Sequence, residues 1–240
     1  MYIPLLIGFA SLNSQTTSLP KNSPISVLSS IETVDIEDSN EIITFDPLWV
    51  DSLSLSLPCY EVPVPKRTMR LPNAPRNYRN GTHRGLDFFA NWGTPVRSVA
   101  EGVVVRSDLH YEEVPADFRE NLLKATTKVG HTPSDIFNSV LLGKSVFLDH
   151  GFDLIPGFRT ISIYAHLSHI EKEIVPGAIV KRGELLGKSG NTGMRESTIG
   201  SKAGSHLHWE MILQKGEQEI YLGKGMSNPE LYDMLYRIFN

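Results

Sequence analysis

The residues best suited to metal chemistry lie near the C-terminal end of the chain, in the stretch Gly204-Ser205-His206-Leu207-His208-Trp209-Glu210. A Gly/Ser-rich loop precedes them and the apolar run Met211-Ile212-Leu213 follows, a setting that predicts the start of a β-strand. Side chains alternate between the faces of a strand, so His206 and His208 point the same way. Two adjacent imidazoles form half of a zinc site, although an edge strand with two exposed histidines accounts for the pair equally well.

Further ligands come from an earlier segment, His83-Arg84-Gly85-Leu86-Asp87. Histidine nitrogen and aspartate oxygen are both zinc ligands. Gly85 allows the backbone to turn so that the two side chains converge. The spacing of four would also place them on one face of a helix, but the nearby glycines argue against a helix. The motif is weak by itself and gains weight only from the histidine pair.

The composition indicates an ordinary globular protein. The chain has 240 residues, a length that is enough to bury a substantial core. Its residues are 40% hydrophobic and 21% charged, as in soluble globular proteins. The formal net charge of -4 argues against nucleic acid as the main partner, because there is no basic excess to neutralise phosphates. The single cysteine, Cys59, can form neither an internal disulfide nor a cysteine-based zinc site, and we interpret it as a buried apolar residue.

The N-terminal part differs in composition from the rest. Residues 2–10 are apolar and resemble the core of a signal peptide, but no Lys or Arg precedes them, and the run is too short to span a bilayer. From Ser11 to about Asp51 the sequence is rich in Ser, Thr and acidic residues, which predicts a linker, tail or pro-segment. We therefore expect an N-terminal extension over residues 1–52 and one folded domain over residues 53–240.

The folded domain carries the pattern of many short strands. Leu53 to Leu57 alternates apolar and polar residues, Pro95 to Val105 predicts a hairpin about Glu101-Gly102, and residues 146–148 and 160–166 predict two more strands. Glycine turns at short intervals follow. The pattern predicts an all-β protein built as a sandwich or barrel.

Two helical segments interrupt this pattern. Residues at about 112–143 carry apolar side chains at helical spacing, which predicts a helical insertion between two strands, with Ser134 as an N-cap. Asn228 and Pro229 predict the start of a C-terminal helix whose apolar face packs back on the sheet.

A basic stretch interleaved with Pro and Asn precedes the first metal motif. Such a run predicts solvated loops, although beside a metal site it could hold a substrate carboxylate. Its members are Lys66, Arg67, Arg70, Arg76, Arg79 and Arg84.

Three separated motifs occur in order, namely His83-x-x-x-Asp87, Tyr164-Ala165-His166-Leu167 and His206-Leu207-His208. Asp149-His150-Gly151 and a ladder of Val-x-x-Gly and Leu-Gly-x-x-Gly turns lie between them. From about His83 to Met211, the combination resembles the lysostaphin/LytM family of zinc metallopeptidases, peptidase family M23. The resemblance implies an antiparallel β-sandwich or barrel-like hybrid fold, with a metallopeptidase domain over residues 53–240.

The resemblance also implies the roles of the site residues. His83, Asp87 and His208 would bind one Zn²⁺ per chain, and His166 and His206 would be catalytic. Three protein ligands leave the fourth tetrahedral position for water, whose pKa zinc lowers toward about 7. The metal-bound water would attack the scissile carbonyl, assisted by the two histidines, because imidazole titrates near neutrality. Which of the two is the general base stays open.

Members of this family cut peptides of bacterial peptidoglycan. The resemblance therefore implies a cell-wall endopeptidase that is exported to the periplasm, the cell envelope or the medium, without identifying the bond cleaved. The helical insertion and the loop from Asn191 to Gly204 are longer than is usual in the family, and each could border the cleft or decorate the surface. Residues 11–51 or the insertion could also lie across the cleft and supply a fourth zinc ligand in place of water. If the N-terminal residues do so, a chain starting near Leu53 would be more active than the full one.

Alternatives from other classes stay open. A catalytically silent relative would bind cell wall or regulate an amidase, but such domains lose metal ligands and this chain keeps all three. Two histidines and a carboxylate also form the facial triad of non-haem iron oxygenases, against which the additional histidines weigh. A phosphate-transferring hybrid-motif domain would not need Asp87. Tyr164 could donate to an oxyanion or pack in the core, and His150 is expected to order its turn.

Overall fold

Residues 43–239 are described by the computed structural model. The apolar segment at residues 2–10 and the acidic extension up to residue 42 lie outside the described residues. Phe45 and Val50 are buried in the same hydrophobic cluster as the sheets, so the packed part of the chain includes residues before Leu53. Among the helices of residues 43–239, none combines the length and the apolar character that a membrane crossing requires.

The strands follow from β-branched and aromatic residues with one or both faces buried. In the strand Gly102–Ser107, Val104 is buried while Val103 and Val105 are exposed, as the two-residue period requires. The described strands are β1 Pro75–Arg76, β2 Gly81–Thr82, β3 Leu86–Phe88, β4 Pro95–Arg97, β5 Gly102–Ser107, β6 Val146–Asp149, β7 Arg159–Ala165, β8 Leu167–Ile170, β9 Ile179–Val180, β10 Leu185–Ser189, β11 Leu207–Lys215 and β12 Gln218–Tyr221.

These strands form one large sheet and two small ones, and every pairing is antiparallel. The large sheet has the order β12-β11-β7-β6-β5-β9, and β3 also pairs with β11. A three-stranded sheet has the order β4-β10-β8, and β1 pairs with β2 alone. The predicted all-β antiparallel fold is confirmed, and the large sheet stays open instead of closing into a barrel over the described residues.

Within residues 43–239, four helical segments accompany the sheets, and short 3₁₀ turns lie at Pro47–Val50, Thr68–Arg70 and Asn77–Arg79. The predicted insertion contains helix α1, Ala116–Val129, and helix α2, Ser134–Ile136, which continues as a π-helical turn at Phe137–Leu141. Helix α3, Arg195–Thr198, lies in the long loop before β11. Helix α4, Glu230–Ile238, begins after Pro229 as predicted.

The C-terminal helix closes the main core. Leu231, Met234, Leu235 and Ile238 are buried on one face of α4, at the spacing that the sequence predicts. Each fully buried side chain of this kind contributes about 1.5–3 kcal/mol of transfer free energy. By contrast, α1 buries only Arg119 and Thr126, so it is held mainly by polar contacts.

Three local predictions are wrong. Strands β4 and β5 do not form a hairpin, because β4 pairs with β10 in one sheet while β5 pairs with β6 and β9 in another. Leu53 and Leu55 are buried on either side of exposed Ser54, but the backbone bonds of residues 53–57 go to Val99 and Ile238 and form no strand. Ser134 is the first residue of α2, whose N-cap is Pro133.

Candidate active site

The two halves of the metal motif meet because β3 pairs with β11. In this register Asp87 lies directly opposite His208. Gly85 lies against β11 so closely that a Cβ there would overlap the carbonyl oxygen of Trp209. Its role is therefore this close approach, whereas the sequence suggested a turn. A side chain at position 85 would push His83 and Asp87 away from the strand that carries His208.

Three donor atoms converge on one point. His83 Nε2 lies 2.9 Å from Asp87 Oδ1 and 3.0 Å from His208 Nδ1, and His208 Nδ1 lies 3.0 Å from Asp87 Oδ1. Bonds of about 2.0–2.1 Å to a tetrahedral zinc ion place its ligands about 3.3 Å apart. The observed separations are close to that value. Among the described residues, this is the group of His, Cys, Asp and Glu side chains arranged to hold a metal ion.

Each donor is oriented from behind by a contact to another residue. His83 Nδ1 donates to the carbonyl oxygen of Leu71 at 2.8 Å, so the lone pair of Nε2 faces the site. Asp87 Oδ2 accepts from Arg76 at 2.9 Å, which leaves Oδ1 for the site. Contacts of this kind fix the tautomer and the orientation of metal-binding side chains.

The third donor is supported by a buried carboxylate. His208 Nε2 lies 3.3 Å from Glu210 Oε2, and Glu210 is fully buried. Arg84 Nε forms an ion pair with the other carboxylate oxygen at 2.8 Å. Burial opposes ionisation of Glu210, but the hydrogen bond to His208 and the charge of Arg84 outweigh it and lower its pKa. His208 therefore carries its proton on Nε2 and presents Nδ1 to the other donors.

This arrangement fits a divalent cation. Three lone pairs that point at one another within about 3 Å repel unless a proton or a metal ion lies between them. One carboxylate and two imidazoles match the oxygen and nitrogen donors of zinc sites. The residues therefore suit the ion that the sequence resemblance implies.

Two further histidines face the same site. His166 Nδ1 donates to the carbonyl oxygen of Thr192 at 2.8 Å, and His206 Nδ1 donates to that of Gly204 at 2.7 Å. In both rings Nε2 is therefore the nitrogen available to the cleft. His206 Nε2 lies 3.5 Å from Asp87 Oδ1. The two ring centroids are 4.9 Å apart.

His166 lies at the corner where the chain leaves the large sheet. Strand β7 ends at Ala165 and β8, which belongs to the three-stranded sheet, begins at Leu167. The corner residue adopts a left-handed backbone with φ of 60°, a conformation that costs a non-glycine residue about 1–2 kcal/mol. The fold supplies this free energy and thereby turns the imidazole toward the metal donors.

Burial and neighbouring groups set the protonation of the cluster. Burial opposes ionisation of Asp87, but the facing His83 and His206 outweigh it and hold its pKa well below the usual range. Burial, together with His206 and His208, lowers the pKa of His166 well below its usual value. At neutral pH the cluster therefore presents an ionised carboxylate and a neutral His166.

The five predicted site residues line one cleft of about 600 Å³. The insertion forms part of its wall through α1 and the π-helical turn, and the long loop before β11 contributes Gly193 to Glu196. Both segments thus border the cleft.

Tyr164 and His150 both lie away from the metal donors. Tyr164 is a core residue, because it is fully buried and its hydroxyl accepts from the backbone of Val99 at 2.9 Å. His150 is buried and bound to the Glu101 carbonyl and the Ser162 hydroxyl, and so it orders its turn as predicted.

Sequence reasoning missed the supporting residues. The basic stretch was expected to be solvated, yet Arg76 binds Asp87 and Arg84 pairs with Glu210. No sequence signal marks Arg76, because its position depends on the fold. Glu210 could have been found, because it follows His208 by two residues and therefore lies on the same face of the strand.

Fold and site define a mostly antiparallel β protein with a His–Asp–His group of metal-binding type beside two more histidines. The sequence model of peptidase family M23 matches residues 125–220, which confirms the resemblance drawn from the motifs. The matched range includes His166, His206 and His208. His83 and Asp87 precede this range and reach the site through the pairing of β3 with β11.

Individual relatives are distant. A protein of Buchnera aphidicola described as an uncharacterized metalloprotease is 26% identical over 141 residues, which are 59% of this chain and 26% of that protein. The chain thus spans 26% of that relative's length. A candidate M23 peptidase of Pseudomonas aeruginosa is 28% identical, with 67% of this chain and 49% of that one covered and a TM-score of 0.35. The catalytic domain of lysostaphin from Staphylococcus simulans is 20% identical, with 71% and 87% covered and a TM-score of 0.37.

Proposed function

We propose that the chain is a zinc-dependent metalloendopeptidase that hydrolyses peptide bonds of bacterial peptidoglycan. The observation that carries the proposal is the convergence of three metal donors and two further histidines in one cleft. The match to peptidase family M23 supports the reaction class. We propose that residues 53–240 form the catalytic domain, with residues 43–52 packed on its core.

Each donor has one atom for the ion and a second contact that holds it in place. His83 would bind through Nε2, Asp87 through Oδ1 and His208 through Nδ1, because the opposite atom of each side chain is already engaged. When bound, zinc supplies Lewis acidity, which polarises a carbonyl oxygen and makes hydroxide available from water near neutral pH.

His166 and His206 perform the proton chemistry. Their Nδ1–H groups are held by backbone carbonyls, so each ring presents Nε2 to the cleft as a proton acceptor. Hydrolysis of a peptide bond needs one group to take a proton from water and one to stabilise the oxyanion and protonate the leaving amine. We propose that the two imidazoles divide these tasks between them.

The substrate and the location follow from the family rather than from the cleft. Lysostaphin is described as an antimicrobial peptidase. By analogy we propose that the substrate of this chain is a cell-wall peptide, and that the chain acts outside the cytoplasmic membrane.

The first experiment measures new free amino groups released from purified peptidoglycan. The full chain is assayed as purified, after chelation, and after restoration with zinc or with Fe(II) under anaerobic conditions. We expect amine release that disappears on chelation and returns with zinc. The variants His83→Ala and His166→Ala should both be inactive, and only His83→Ala should also lose stoichiometric zinc.

The alternatives give different results. A silent binding module would bind peptidoglycan without releasing amines under any of these conditions. An iron oxygenase would regain function with Fe(II) and consume oxygen. If the segment before the domain blocks the cleft, a chain that starts at residue 43 should exceed the full one in activity; the cut belongs there because Phe45 and Val50 are core residues.

A further inference from the structure

Helix α1 joins the two walls of the catalytic cleft. On one wall the Thr132 hydroxyl, just after the helix, donates to the carbonyl oxygen of Arg79, and the Thr126 hydroxyl lies 3.4 Å from the same oxygen. On the other wall Glu120 pairs with Arg195, the first residue of α3, at 3.7 Å. The helix buries only Arg119 and Thr126 and lines the cleft, so it lies over the cleft rather than in the core.

The helix turns one face to the cleft. Its lining residues follow the spacing of a single helical face. They are Arg119, Glu120, Leu123, Lys124 and Thr127. The insertion therefore contributes side chains that any peptide in the cleft would meet.

Arg119 stands out on this face because it is a buried cation without a carboxylate partner. Its exposed fraction is 7%, and it lines the cleft. Its Nε donates to the carbonyl oxygen of Gly193 at 3.0 Å. Among residues 43–239, no carboxylate lies within ion-pair distance of its guanidinium, and the two terminal nitrogens have no hydrogen-bond acceptor. Cations so buried are normally paired, because desolvation of an unpaired charge is costly.

The nearby carboxylate of Glu113 is already occupied. It accepts from the backbone nitrogen of Gly193 at 3.0 Å and from the Tyr111 hydroxyl at 3.0 Å. Glu113 and Arg119 thus hold Gly193 at its backbone nitrogen and at its carbonyl oxygen. This leaves the fork of the guanidinium free for an anion from outside the protein.

The position of Gly193 places Arg119 beside the catalytic histidines. Gly193 follows Thr192, whose carbonyl oxygen accepts the Nδ1–H of His166. Arg119 is therefore held one residue away from the carbonyl that orients His166. A group bound by the guanidinium would therefore lie in the cleft that His166 also lines.

We propose that Arg119 binds a carboxylate of the peptide substrate, so that helix α1 selects peptides that carry a free carboxylate close to the scissile bond. Guanidinium and carboxylate match as two parallel hydrogen bonds, which gives both affinity and orientation. This inference rests on the proposed peptidase function. It makes the insertion a specificity element for peptides that present such a carboxylate.

The test compares matched peptides that differ only in charge. One pair ends in a free carboxylate or in an amide, and a second pair carries Glu or Gln beside the scissile bond. For wild type we expect kcat/KM to be higher for the acid of at least one pair, and the responding pair identifies the α-carboxylate or the side chain as the source. In Arg119→Gln the kcat/KM of the acid relative to that of its uncharged partner should fall about tenfold to a hundredfold, which corresponds to the loss of a charge-assisted hydrogen bond.

Two further variants control the comparison. Lys128→Gln removes a cation from the same helix at an exposed position outside the cleft, and the ratio should stay as in wild type. Arg119→Lys keeps the charge without the planar fork and should retain part of the preference. It also serves as the test variant if Arg119→Gln does not fold, as judged from thermal unfolding. If Arg119 only braces Gly193, its substitution will lower kcat equally for the acid and the amide. That result would overturn the proposal.

A binding measurement separates this inference from the proposed function. Calorimetric titration of the same peptides is performed with phenanthroline present, because this uncharged chelator removes zinc without competing for the guanidinium. Tighter binding of the acid that Arg119→Gln abolishes supports the subsite even if no peptide is cleaved. Cleavage of both peptides with an acid-to-amide ratio that is equal in wild type and Arg119→Gln rejects the subsite and leaves the peptidase intact.

Discussion

Replacing Glu210 with Gln should weaken zinc binding although Glu210 is not a proposed ligand. Its buried carboxylate lies 3.3 Å from Nε2 of His208 and forms an ion pair with Arg84 at 2.8 Å. The negative charge keeps the His208 proton on Nε2 and makes Nδ1 a better donor to the ion. Glutamine has nearly the same shape, so the substitution removes the charge and keeps the packing.

The expected loss can be estimated from these contacts. Loss of a partner behind a metal-bound histidine typically lowers metal affinity about 10- to 100-fold, or about 1.4–2.7 kcal/mol. The variant also leaves Arg84 without its ion pair. Because the Arg84 side chain is 27% exposed and the amide oxygen can still accept, we expect the free energy of unfolding to fall by about 1–2 kcal/mol, below the cost of stranding a fully buried charge.

The assay is competition for zinc between the protein and a chromophoric chelator, accompanied by urea unfolding. Glu219→Gln is the matched control, because Glu219 lies on the neighbouring strand at 4.0 Å from Arg84 but is 56% exposed. It should leave zinc affinity unchanged. If Glu210→Gln binds zinc as tightly as the control, the proposed support of His208 by Glu210 is refuted.

Three further outcomes follow from the structure. Gly85→Ala should cost about 1–3 kcal/mol in urea unfolding and weaken zinc binding in the chelator assay, because its Cβ would overlap the Trp209 carbonyl. His166→Asn should abolish peptide hydrolysis yet unfold at a higher urea concentration than His166→Ala, because asparagine tolerates the left-handed backbone at this corner better than alanine. Equal urea midpoints for the two variants would contradict the proposed backbone strain at His166. Asp149→Asn should destabilise by about 0.5–1 kcal/mol at pH 7. The hydrogen bond from half-exposed Arg159 lowers the pKa of Asp149 below 3.8, so this difference should vanish as the pH of the unfolding experiment falls through that range.

Local patterns were sufficient for several of the longer elements of secondary structure. Strands β6 and β7, the helical insertion and helix α4 follow from apolar periodicity and from turn residues, which act within a few positions of the chain. The predicted hairpin at Glu101-Gly102 failed because strand pairing is decided by distant partners. Alternation at Leu53 to Leu57 correctly identified Leu53 and Leu55 as buried, but it could not tell a strand from an extended segment that bonds to Ile238.

The sequence identified the candidate site residues through the ordered combination of three motifs and its resemblance to a known family, because each spacing taken alone is a weak signal. Their arrangement was decided by the tertiary structure. His83 and His208 are 125 residues apart along the chain, and their donor atoms lie 3.0 Å apart because β3 pairs with β11. The supporting contacts of Arg76 and the unpaired guanidinium of Arg119 have no sequence signature, because any arginine in a loop or helix looks solvated until the fold brings its neighbours together.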